Sequence, residues 1–177
     1  MKRNQFINMA WMQALWFAAV IGAAYGSGWP AVTLLALFTG WQLQPERRQN
    51  SDLVLLPIAV FIGMILDTAW IMLGWIEFSN PGPVPGIAPL WILVLWAGFS
   101  LTLSHSLAWL QNRLLTAGLI AGLVGPLSYL AAQRLGALHI MIESSHWVFG
   151  LGVAWALALP FLFWLAEHLK ETDEERM

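Results

Sequence analysis

One carboxylate in this sequence has to be explained, because it falls inside an apolar run. Asp67 lies in Gly63-Met64-Ile65-Leu66-Asp67-Thr68. An ionisable group at membrane depth costs about 3 kcal/mol on insertion scales, so it is expected to face other helices and to hold a partner. Proton relay and ligand binding are the chemistries such an acid supports. A structural hydrogen bond between helices is the plain alternative. Ser128, Tyr129 and Arg134 are its expected neighbours. Pro126 cannot donate to the Gly122 carbonyl and should kink the chain just ahead of Ser128. Ser128 and Tyr129 then lie about 8 Å outside their span's centre and Asp67 about 5 Å outside its own, at 1.5 Å per residue. Arg134 reaches the same level only by snorkelling back from the surface, and its other use is to bind lipid phosphate.

His105 belongs to a different depth, about 8 Å on the opposite side of its span's centre, so a pair with Asp67 is not expected. Ser100 and Ser104 share one helix face near it and are suited to bonds across helices or back to the i−4 carbonyl. His139, Glu143 and His146 follow an i, i+4, i+7 spacing, which one continuous helix would turn into three zinc ligands. Ser144-Ser145 has the chemistry of a helix cap that would break that face. The pattern H-x3-E-x2-H also lacks the H-E-x-x-H signature, so no metal is assigned and no cofactor follows. A Gly-rich phosphate loop, a nucleophile elbow and a dinucleotide fingerprint are all absent from the sequence. So is cysteine, which excludes disulfides and thiolate chemistry.

The elements that must position these residues are membrane helices. Of the 177 residues, 59% are hydrophobic and 10% charged, against about 25% charged in soluble domains, and mean hydropathy is +0.67. That balance excludes a disordered chain and a nucleic-acid binder and argues against a soluble enzyme. Six stretches have the roughly 20-residue apolar length a span needs, the second being short: 4–24, 29–44, 53–75, 89–110, 114–132 and 147–167. They predict a single all-α domain, an integral bundle of six transmembrane helices with an acidic tail at 168–177. The segment Asn80-Pro81-Gly82-Pro83-Val84-Pro85-Gly86 between the third and fourth cannot be helical.

With the N-terminus inside, Lys2, Arg3, Arg47, Arg48, Arg113, Lys170 and Arg176 fall in inner segments and only Arg134 in an outer one. Both termini are therefore expected on the cytoplasmic side. Lys2-Arg3, the following apolar run and Gly22-Ala23-Ala24 mimic a signal peptide, but Asn8, Gln13, Trp11 and Trp16 argue against cleavage. Most of the tryptophans stand near span ends, as interfacial anchors do. Trp16, Trp96 and Trp155 stand near span centres, where they either pack between helices or line a site for a flat or lipidic ligand. Three spans per half would allow inverted halves. Trp11-x4-Trp16 and Trp91-x4-Trp96 are the one echo between them. Gly22-x3-Gly26 and Gly118-x3-Gly122 have the spacing that lets helices approach closely, and Gly150-Leu151-Gly152 is a weaker form of it.

Asn8, Gln13, Trp16-Phe17, Val20, Gly63, Asp67, Pro89-x-Trp91, Leu95-Trp96-x2-Phe99 and Ser106-Leu107-x-Trp109-Leu110 occur here in a recognisable order. With Gly125-Pro126-Leu127-Ser128-Tyr129-Leu130-Ala131 and Arg134-Leu135-Gly136-Ala137, the chain resembles a family of uncharacterised bacterial multi-pass inner-membrane proteins, a domain of unknown function. Ser128, where that pattern often has a smaller residue, and Gln133 depart from it. The resemblance implies an inner-membrane location and an association with lipid-modifying enzymes, but no activity. The leading expectation is an accessory protein that binds or moves a small lipidic molecule. An intramembrane lipid-modifying enzyme and a small proton-coupled transporter are the alternatives. Expected partners are membrane lipids, a small apolar ligand and other membrane proteins.

Overall fold

The computed structural model describes residues 3–174, with side chains to residue 169. Lys2, Lys170, Arg176 and the rest of the acidic tail lie outside the described side chains. Six α-helices are present: α1 (Arg3–Ala24), α2 (Trp29–Gln42), α3 (Asn50–Met72), α4 (Leu90–Leu103), α5 (Leu114–Arg134) and α6 (His146–Glu174). Two three-residue strands, β1 (Ile76–Phe78) and β2 (Leu138–Ile140), pair antiparallel with Glu77 opposite His139. Four helices, α1, α3, α5 and α6, are long and apolar enough to cross a membrane, and α4 is a shorter apolar helix.

The six expected spans are thus unequal. α2 and α4 have 14 residues each, about 21 Å of rise against a hydrocarbon core of about 30 Å. The fourth span, expected over 89–110, stops as a helix at Leu103 and continues into a 3-10 turn at Ala108–Leu110. The cause is local. The Ser100 and Thr102 hydroxyls donate to the Ala97 and Phe99 carbonyls three residues back, and the Thr102 carbonyl takes the amides of both His105 and Leu107. Side-chain bonds of that kind compete with the regular ladder.

Ten of the 14 residues of α4 are buried, all around its surface, as expected of a helix that is apolar on every side. It is the centre of the bundle. α1 packs on α2 and α4, α2 also on α4, α3 on α4 and α6, and α5 on α6. Among the described residues α1 and α5 do not form one of these packed pairs. Nor is the pairing of the first three helices repeated in the last three, since α4 and α5 do not pack as α1 and α2 do.

The α5–α6 pair shows what the spacing of small residues achieves. A Cβ on Gly118 would come within 3.0 Å of the Ala156 carbonyl, and one on Gly152 within 2.9 Å of the Gly122 carbonyl. That Gly122 carbonyl is the one Pro126 leaves without its helical donor. It faces the Gly152 backbone, so the proline and the glycine together set a close crossing.

The strand pair ties the exits of α3 and α5 together. The Ser79 amide donates to the Ala137 carbonyl at 3.0 Å, and the Met141 amide to the Trp75 carbonyl at 3.0 Å. The first residue of α1 and the C-terminal half of α6 lie at the opposite end of the bundle from these strands. Arg47, Arg48 and Arg113 are in connections at that same end, whereas Arg134 is at the strand end.

Candidate functional site

Asp67 is fully buried and sits where three helices meet. The Trp96 indole N–H donates to its Oδ2 at 2.9 Å, and the Tyr129 hydroxyl donates to its Oδ1 at 2.5 Å. α3, α4 and α5 each supply one member. Gly63 makes this possible: it lies one turn before Asp67 on the same face of α3, and an added Cβ there would meet Trp96 Cδ1 at 2.1 Å. The bare glycine lets the indole lie flat on α3 with its N–H over the carboxylate. α5 repeats the device. Gly125 precedes Tyr129 by one turn, and a Cβ on it would meet Trp155 Cδ1 at 2.5 Å. The two indoles held this way stack on each other, with centroids 4.7 Å apart and planes 11° from parallel.

Trp96, Tyr129 and Trp155 form part of the wall of a cavity of about 290 Å³, near the lower bound of ordinary ligand pockets. α1 contributes Met9, Met12, Gln13, Trp16 and Val20; α5 contributes Ile120, Ala121, Val124, Gly125, Ser128, Tyr129 and Ala132. Each set recurs at the three- and four-residue spacing of one helix face, so two helices outside the packed pairs present faces to one space. α4 forms the floor from Trp91 to Thr102, and Leu138 and Leu110 line it as well. Asp67 itself is not on the wall. It stands behind Trp96 and Tyr129 and fixes both, a positioning residue for the aromatic lining.

A second polar cluster lies at the opposite end of the bundle. The His105 Nε2 is 2.9 and 3.1 Å from the two carboxylate oxygens of fully buried Asp52, and Asp52 Oδ2 also accepts the Gln49 amide at 2.9 Å. The Gln42 carboxamide lies 3.1 Å from the same ring nitrogen and accepts from Asn8 Nδ2 at 2.7 Å. Asn8 in turn donates to the Leu101 carbonyl at 2.9 Å and accepts from the Ser106 hydroxyl at 2.6 Å. Four helices are joined at the point where α4 breaks.

Of the residues singled out in the sequence, Asp67, Trp96 and Tyr129 come together. Ser128 lies on the cavity wall with its hydroxyl donated to the Gly125 carbonyl at 2.6 Å. Arg134 does not join the group. It ends α5 exposed, and the place expected for it beside Asp67 is taken by the Trp96 N–H. His105 is paired, but with Asp52. The His139, Glu143 and His146 set is not assembled: His139 is in β2, Glu143 in a loop and His146 opens α6, so the continuous helix that would align them does not exist. No cluster of three metal-ligating side chains occurs among the described residues. Sequence reasoning does not assign Asp52, Asn8 and Gln42 to a site. Asp52, in the first turn of a helix and three residues after Gln49, does have the placement of a capping carboxylate.

Removing the Tyr129 hydroxyl with Tyr129→Phe should cost about 1–3 kcal/mol, because Asp67 keeps one donor where it had two. Asp67→Asn should cost less, since its amide keeps the shape and the Tyr129 hydroxyl can turn to accept from it. Thermal unfolding in detergent compares the two; a Tyr129→Phe midpoint at or above that of Asp67→Asn contradicts the arrangement.

An all-helical bundle with four long apolar helices and an apolar cavity is compatible with a membrane protein. The chain belongs to a family described as protein of unknown function (DUF2878), which matches residues 5–161. No curated protein and no solved structure matches it.

Proposed function

We propose that this protein spans a bacterial inner membrane with both termini cytoplasmic and serves lipid metabolism as an accessory protein, holding or moving a small lipidic molecule in the cavity between α1, α4, α5 and α6. The observation that carries the reading is the cavity itself: an aromatic and aliphatic space whose two long walls do not pack on each other. In a bilayer such a space opens to the acyl chains, and an apolar molecule reaches it without crossing water. The side chains that shape it are held by bonds of their own, Trp96 and Tyr129 by Asp67, so the space is formed in advance of a ligand. Arg3, Arg47, Arg48 and Arg113 all lie at one end, which supports the orientation through the excess of Lys and Arg in cytoplasmic loops.

Ala121 lines the cavity and is buried. Ala121→Phe should fill part of the space while leaving Asp67, Trp96 and Tyr129 in place. Lipids extracted from the purified wild-type protein should include one enriched over the membrane average, and that enrichment should fall at least tenfold in Ala121→Phe. An identical lipid profile for both proteins, each folded by circular dichroism, contradicts the proposal.

A further inference from the structure

Two polar side chains on the cavity wall, Gln13 and Trp16, make no hydrogen bond among the described residues, and Gln13 alone of the two carries an amide. The hydroxyls of Ser128, Thr102 and Ser106 donate to the Gly125 carbonyl, the Phe99 carbonyl and Asn8. Tyr129 and Trp96 donate to Asp67. Gln13 is different: its carboxamide lies on the wall, its side chain is exposed rather than packed, and no hydrogen bond to it is formed among the described residues. It stands ten positions after the first residue of α1 and eleven before the last, which is about 15 Å from either end. It is at the middle of the spanning helix, where water supplies no partner and an amide without one costs several kcal/mol.

We propose, resting on the cavity reading above, that Gln13 is the recognition residue of that site and that its ligand is a neutral lipid chain bearing an acceptor oxygen (a hydroxyl, ketone or quinone type of group) at the depth of the bilayer midplane. The neutral character follows from the wall. Its lining residues include no Lys, Arg, His, Asp or Glu, so an ionised carboxylate or phosphate brought there would have no counter-charge. The acceptor follows from Gln13, whose amide offers two N–H groups. The depth excludes an ordinary phospholipid, whose oxygens lie at the headgroup level, roughly 15 Å from the bilayer centre. Leu138 of β2 and Leu110 of the turn after α4 both line the space, so an extended chain can lie along it.

The test uses the full-length protein in phosphatidylcholine vesicles with three diazirine-tagged probes: a long-chain alcohol, the matched alkane, and a phosphatidylcholine with a mid-chain ketone. Wild-type protein should label on α1 and α5 cavity residues about fivefold more with an oxygen-bearing probe than with the alkane, the ratio that one hydrogen bond of ordinary net strength gives. Preference for the alcohol identifies a free lipid as the source, and preference for the ketone an oxidised acyl chain; either supports the proposal. Gln13→Leu, an apolar change that a membrane helix tolerates, should bring all probes to the alkane level. Equal labelling by alkane and oxygenated probes in the wild type overturns the Gln13 assignment while leaving the cavity reading intact. Labelling that Ala121→Phe does not reduce overturns the cavity reading itself. If Gln13→Leu instead dissociates a dimer and leaves the probe preference unchanged, the amide belongs to an interface between copies and the proposal fails.

Discussion

Replacing His105 by leucine is expected to destabilise the protein by about 3–5 kcal/mol, a larger loss than Tyr129→Phe brings. Asp52 is fully buried and its two oxygens meet the ring of His105. Without the imidazole, the carboxylate keeps only the Gln49 amide. The Gln42 carboxamide loses its contact with the ring as well, so the link from α1 and α2 to α3 is cut at one point. The sign reverses in the double variant. Asp52→Leu with His105→Leu removes the orphaned charge, and it should be more stable than His105→Leu alone. A thermal or denaturant midpoint for the double variant below that of the single one would show that the two residues are not a coupled pair.

The second large effect is expected at Gly63. An alanine there places a methyl 2.1 to 2.4 Å from three atoms of the Trp96 indole. A stiff aromatic ring between packed helices cannot give by that much without moving. The ring must lift off α3, which strains the core and withdraws the N–H from Asp67. The combined cost should be at least about 2 kcal/mol. It should also remove the stacked Trp96–Trp155 pair, read as loss of the indole exciton signal in circular dichroism. Gly40 is the control, with nothing within 4 Å of an added Cβ. Gly40→Ala should be neutral or slightly stabilising, because alanine is the better helix former. Equal behaviour of the two variants would mean that the glycine does not seat the indole.

Much of this architecture is legible from hydropathy alone, since a span announces itself by about 20 apolar residues. The burial of Asp67 and its nearness to Tyr129 follow from depth counting at 1.5 Å per residue. Trp96 as the second partner does not follow, because it depends on an indole crossing a glycine on a neighbouring helix, and sequence spacing carries no sign of that. Arg134 misleads for the opposite reason. Its charge makes it the obvious counter-ion, yet an indole N–H and a phenol satisfy the carboxylate at lower desolvation cost.

The early end of α4 is masked in the sequence by the apolar residues that surround Ser100, Thr102, Ser104 and Ser106. Each looks like a tolerated hydroxyl in a membrane helix, yet those of Ser100 and Thr102 bond back to the Ala97 and Phe99 carbonyls and compete with the regular ladder. Asp52 attracts no attention because it stands at a helix start, where a carboxylate ordinarily caps the first turn and needs no further account. Asn8, Gln42, Asp52 and His105 share one depth, and that shared level is the signal in the sequence that points to them. The β1–β2 pair is out of reach, since three-residue strands have too few alternations to register.

Whether the space between α1 and α5 holds a lipidic molecule decides the proposed function. An electron cryomicroscopy structure of the protein in nanodiscs made from its native membrane lipids tests this most directly. The expected result is an elongated density along α4, in contact with Trp16, Phe99 and Trp155 and with one point of it at hydrogen-bond distance from Gln13. A bundle in which α1 has closed onto α5, bringing Met12 against Val124 with no density between them, would contradict it.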